Sequence, residues 1–178
     1  MIRRAPVLLF ALFSGACSLV RESPPAPSSV GMQVEALKLR LFILVEEQRH
    51  KLNAEARPLA LDPELSSAAQ VHSDDMAKKR SFDAMNPNGN PAVNTLLADP
   101  KFRGFVAENS AAQYFTPAAG INPDMMAQGF LDIWLNSPSH KSNLSFARFD
   151  RTGIGIAVSG NMIYAAEVFA TDLGLPEP

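Results

Sequence analysis

Apolar residues recur at spacings of three and four from about Met32 to Ala54, where Val34, Leu37, Leu41, Leu44 and Val45 predict a helix. Its segment "LRLFILV" is dense enough to mimic a strand. Length and flanks, with Glu46, Glu47, Arg49 and Lys51 gathering later, favour a buried helix. "LDPEL" restarts the chain: Asp62 suits an N-cap, Pro63 the first helical position, and Glu64 the positive end of the helix dipole. In the helix that follows, Leu65, Ala69, His72 and Met76 share one stripe, which turns His72 towards the core. A core histidine satisfied by backbone is the expected role. Residues 81–107 lose all period; Asn, Pro and Gly are frequent, and Leu96-Leu97 can anchor a short helix. In "INPDMMAQGFLDIWLNSP" Asn122 caps, Pro123 opens, and Met126, Phe130, Ile133 and Trp134 form an apolar face before Pro138 stops the helix. Trp134, the only tryptophan, reads as core.

The period then changes from 3.6 to 2. "TGIGIAVSG" sets Ile154, Ile156 and Val158 on one face and small residues on the other, and "NMIYAAEVFA" follows a Ser159-Gly160-Asn161 turn. The two segments predict an antiparallel hairpin. On its second strand Ile163, Ala165, Glu167 and Phe169 share a face, so Glu167 stands either at a wet edge or in a pocket with a partner. Helices first and a hairpin last predict an α+β domain.

The start of the chain follows other rules. Arg3 and Arg4 precede an apolar run from Val7 to Phe13 and the small residues Ser14-Gly15-Ala16, the layout of a signal peptide over residues 1–16. That run is too short to span a bilayer. Cys17, the only cysteine, comes next, and "FSGAC" resembles a bacterial lipobox in which the cysteine is lipidated. Residues 17–31, with "RESPPAPSSVG", read as a lipid-anchored Pro/Ser-rich tether, and 32–175 as the folded domain. Such a protein faces the periplasm or the cell surface, held to the membrane by its acyl chains; the alternative is an ordinary cleaved signal peptide with an incidental cysteine, which makes the protein secreted. With no second cysteine the domain has no internal disulfide and must rely on its core.

Composition narrows the partners. A chain of 178 residues with 47% hydrophobic content is globular, and a net charge of −2 without a basic stripe argues against nucleic acid. Lys78, Lys79 and Arg80 read as the solvated end of a helix. Polar chemistry concentrates at Asp83 in "SFDAMNPNG", Glu108-Asn109 in "FVAENSAA", His140 in "NSPSHKSNL", and Glu167. Glu108 sits among small apolar residues, where a carboxylate needs donors, a metal or a raised pKa. Asn109 can tie down a turn. His140 with a glutamate can act as base and proton relay, or supply metal ligands. Ser137 or Ser139 beside His140 gives a weak nucleophile–base pair. HExxH, GxSxG and P-loop motifs are absent.

From about Leu39 to Phe169 the ordered segments "EEQR…ARPLALDPELSSAAQVHSDDMA", "SFDAMNPNG", "AENSAA", "FLDIWLNSPSHKSNL", "RTGIGIAV" and "IYAAEVFA" resemble the CAP superfamily (cysteine-rich secretory proteins, antigen 5, pathogenesis-related proteins) in its bacterial, disulfide-free form. The resemblance implies an α-β-α sandwich with a cleft beside the sheet. It implies a cleft lined by Asp83, Ala84, Glu108, Asn109, His140 and Glu167, with Glu108 and His140 as the catalytic pair of any enzyme and as metal ligands, for zinc as an example. Ala84 stands where the family usually has its first cleft histidine, just before the "NPNG" turn, which weakens a metal site. Glu167 stands where relatives often have Gln. The resemblance points to a non-enzymatic module that binds a lipid or cell-wall component, with hydrolysis of peptide or cell-wall substrates as the alternative.

Overall fold

A computed structural model describes residues 29–80, 91–98, 102 and 104–172. Five helices and four strands follow in the order α1 (Val30–Leu52), β1 (Ala60–Leu61), α2 (Pro63–Lys79), α3 (Pro91–Ala98), β2 (Gly104–Tyr114), α4 (Pro123–Asn136), α5 (Pro138–Ser145), β3 (Arg151–Ser159) and β4 (Met162–Asp172). The strands form one sheet in the order β1-β3-β4-β2, with β1 parallel to β3 and the other pairs antiparallel. The expected hairpin is β3–β4. Gly160, at φ 60°, takes the first position of its two-residue turn, where a left-handed backbone favours glycine.

Helices cover both faces of the sheet. On one face Leu37, Leu41 and Val45 of α1 and Phe130 and Trp134 of α4 pack against Ile154, Ile156, Ile163, Ala165 and Phe169. Burying each large side chain stabilises the fold by roughly 1.5–3 kcal/mol. On the other face Leu65, Ala69 and Met76 of α2 meet Tyr164, Ala166, Val168 and Ala170. The small residues of β3 let α2 approach: a Cβ on Gly153 or Gly155 would run into the backbone of Ser66 or Ala69. The α-β-α layering is therefore present, and the class is α+β.

Several expectations need revision. Ser29 caps α1 through its side chain, and Val30 and Gly31 lie within the helix, so the helix begins before residue 32, the expected start of the folded domain. That helix is amphipathic, with Leu39 57% exposed, and not buried all round. Ile133 is 38% exposed while Trp134 is fully buried. The "FVAENSAA" segment is no turn: it forms the middle of β2, opposite β4. Pro138 ends α4 but also opens α5, so His140 rides on a helix instead of following one.

Arg49 fastens the layers. It is fully buried, and its two terminal nitrogens donate to the carbonyls of Leu144 (3.0 Å), Phe146 (3.2 Å), Arg57 (3.2 Å) and Phe149 (3.1 Å). One α1 side chain thus holds the exit of α5 and the approach to β3.

Candidate functional site

Strand β2 is the outermost strand on its side of the sheet, and its alternation sends neighbouring residues to opposite faces. Val106 and Ala112 pack with the α2 layer, whereas Ala107 and Ala111 pack with the α1 layer. Glu108 shares the first face and Asn109 the second.

Towards α2, the Glu108 carboxylate meets the imidazole of His72 through Oε1 and Nδ1. The two side chains are 16% and 11% exposed, a pair at the rim of the core. His72 points inward as its stripe predicts, but its partner is a carboxylate and not backbone. Tying its ring to Glu108 makes it a site residue. Sequence reasoning missed that role because the contact spans 36 positions.

Towards α5, Asn109 is fully buried and organises a network. Its Nδ2 donates to the His140 carbonyl (3.1 Å), and its Oδ1 accepts from Asn143 Nδ2 (2.9 Å). Asn143 Nδ2 also donates to the backbone carbonyl of Glu108 at 3.2 Å. Asn143 went unnoticed in the sequence, although its place three residues after His140 puts both on one side of a short helix. The network clips α5 to β2 and brings His140 beside Glu108. Burial pulls the His140 pKa below the usual imidazole value, and the nearby Glu108 carboxylate opposes that fall. The ring is therefore neutral at physiological pH. Its Nδ1 is buried and has no hydrogen-bond partner among the described residues.

Glu167 does not join them. It is directly opposite Asn109 on β4, so it faces α1, the side of the sheet away from the Glu108 carboxylate. It is fully buried, and Thr152 Oγ1 lies 3.0 Å from its Oε1. Desolvation pushes its carboxyl pKa up to about 8 against the hydrogen bond to Thr152 and the attraction of Arg49, with Glu46 adding to the rise. As a cleft residue Glu167 is withdrawn: solvent does not reach it. The other expected cleft residues, Asp83 and Ala84, and the lipidation candidate Cys17 lie outside the described residues.

The frame presents hydrogen-bond acceptors and donors. The hydroxyls of Ser137 and Ser139 lie 3.1 Å apart and bond each other, and His140 Nδ1 has no hydrogen-bond partner among the described residues, so the suspected nucleophile–base pair is not formed through that atom. Among the described residues no three His, Cys, Asp or Glu side chains group as a metal ion would require. Glu108, His72 and His140 therefore gather no such set among the described residues. Among the described residues no helix is long and apolar enough to cross a membrane.

The family profile of CAP, the cysteine-rich secretory protein family, matches residues 39–171. Over 137 residues the chain is 27% identical to the uncharacterized protein YkwD of Bacillus subtilis strain 168, covering 77% of this chain and 47% of that protein. The chain thus spans about half the length of this curated relative. In three dimensions it is similar to an outer surface protein of Borrelia burgdorferi, with a TM-score of 0.58 and 23% identity over 78% of this chain and 93% of that one. An extracellular protein containing a SCP domain from Bacillus anthracis gives a TM-score of 0.57 and 23% identity, covering 83% of this chain and 45% of that one.

Proposed function

Since the chain belongs to the CAP (cysteine-rich secretory protein) family, we propose that it is an exported, envelope-anchored binding module whose site is framed by His72, Glu108 and His140. The observation that carries this reading is the polar frame itself. A carboxylate held by one imidazole sits beside a second, neutral imidazole, on an outer strand clipped to α5 by Asn109 and Asn143. Groups fixed in this way recognise donors and acceptors on a ligand without reorganising, which lowers the cost of binding. The ligand class is a component of the envelope, a lipid or a cell-wall polymer.

Sedimentation with purified peptidoglycan, and separately with phosphatidylethanolamine/phosphatidylglycerol vesicles, tests the reading. Wild-type protein is expected to co-sediment with one of them and Glu108→Gln to lose at least tenfold in affinity. Release of soluble fragments by wild type but not by Glu108→Gln would replace binding with hydrolysis. Anchoring rests on Cys17 and its lipobox-like context. Globomycin is expected to make an unprocessed precursor accumulate; normal processing in its presence would rule the anchor out.

A further inference from the structure

The Thr152 hydroxyl has one proton and two claimants. Its Oγ1 lies 3.0 Å from Glu167 Oε1 and 3.0 Å from the Val168 carbonyl oxygen. Were Glu167 ionised, both neighbours would be pure acceptors, and one hydroxyl hydrogen cannot serve both well. If Oε1 bears a proton, the acid O–H donates to Thr152 Oγ1 and the threonine O–H donates to Val168. Both short distances are then satisfied, and Glu167 itself carries no buried charge.

The surroundings agree. The charged groups facing Glu167 are Arg49 and Glu46 of α1. Arg49 has already committed its terminal nitrogens to four backbone carbonyls, and its remaining Nε faces Glu46 Oε1 at 3.7 Å. Glu46 in turn accepts from the Leu59 amide through Oε2. Neither offers Glu167 a hydrogen bond, and its Oε2 has no partner among the described residues. From β3 it meets the Thr152 hydroxyl. From β2, Asn109 stands at its register position and on the same face.

We propose that Glu167 is a neutral acid in the folded domain, and that its deprotonation loosens Asn109 and with it the α5 helix that carries His140. The link runs through bonds already described: Asn109 holds α5 by the His140 carbonyl and the Asn143 amide. A charge forced beneath Asn109 draws water or the amide itself towards it and competes with that grip. Glu167 is thus a positioning residue for α5, set by the external proton concentration.

Burial raises the folded pKa from 4.5 to about 8, so the folded state holds a proton that the unfolded chain releases. The stability contributed by that proton is full below the unfolded value and is lost as pH rises towards the folded one. Across this window the unfolding constant is expected to grow about tenfold per pH unit from this group alone. His140, whose pKa is depressed, has the opposite slope and acts at the acid end.

The experiment is thermal unfolding of the full chain between pH 5 and 9, wild type against Glu167→Gln, with carbon-13 NMR of the glutamate side-chain carboxyls on wild type. The neutral-acid reading expects the two melting curves to diverge steadily as pH rises, with Gln the more stable at pH 8, and one glutamate carboxyl titrating near pH 8. Amide protection in α5, taken relative to the intrinsic base-catalysed exchange rate at each pH, is expected to fall over the same range in wild type alone. A carboxyl set that titrates wholly below pH 6 overturns the proposal, and does so even if the variant fails to fold. Unchanged α5 protection, relative to the intrinsic rate, across that titration overturns the coupling. These readouts involve no ligand, so their failure is distinct from failure of the binding reading.

Discussion

Glu108 and Glu167 are two carboxylates one register position apart on paired strands, and they lead opposite lives. Glu108 looks to the α2 side at the rim of the sheet, meets an imidazole and keeps some contact with water. Glu167 looks to the α1 side, is sealed, and faces a guanidinium whose terminal nitrogens are bonded to backbone carbonyls. The pleat alone decides this, because a strand sends successive side chains to opposite faces. The same chemical group is half-open beside an imidazole on one face and sealed from water on the other.

The largest effect expected from breaking this contrast is on the sealed side. Arg49→Met removes a buried cation and leaves the carbonyls of Leu144, Phe146, Arg57 and Phe149 without their donor. Disrupting a buried charged network from one side typically costs about 3–5 kcal/mol. Urea denaturation should show a loss of that order; a loss below about 1 kcal/mol would mean that solvent takes over the four carbonyls.

The intermediate effect is the pH-linked one at Glu167. It amounts to about 1.4 kcal/mol per pH unit within its window. The smallest effect on stability is expected at the open carboxylate. Glu108→Gln keeps an acceptor for His72 and should change stability by less than about 1 kcal/mol. It sharpens the comparison in another way. Glu108 holds the His140 pKa up against desolvation, so removing its charge should lower that pKa further, seen in the ring-proton NMR titration. A rise instead would show that Glu108 does not reach His140 electrostatically.

Elements with a strong local period were legible in the chain. Helices α1, α2 and α4 follow from their apolar spacing and from caps such as Asp62 and Asn122, whose side chains do accept the first-turn amides. The β3–β4 hairpin follows from its alternation and its turn. Strand β2 was not legible, because helices cover parts of both its faces and its small residues alternate weakly. Strand β1 has two residues and exists through its pairing with Arg151 and Thr152. Helix α5 carries one buried apolar residue, Leu144, and shows no stripe.

The site was legible in its residues more than in its geometry. Glu108, Asn109 and His140 do come together, but through a strand and a helix where the chain reads as loop. The register that separates Glu167 from Glu108 is a long-range property, and no local spacing records it. His72 shows the limit most clearly. Its direction follows from helical period, and its partner follows only from which face of β2 lies above α2.

The most direct test of this account is the sedimentation assay run at neutral pH on wild type, Glu108→Gln and Glu167→Gln side by side. Gln mimics a neutral acid in shape and charge, so Glu167→Gln is expected to bind peptidoglycan or vesicles as wild type does, while Glu108→Gln falls at least tenfold. Equal binding by all three, or loss in Glu167→Gln alone, would contradict the division of labour between the two faces.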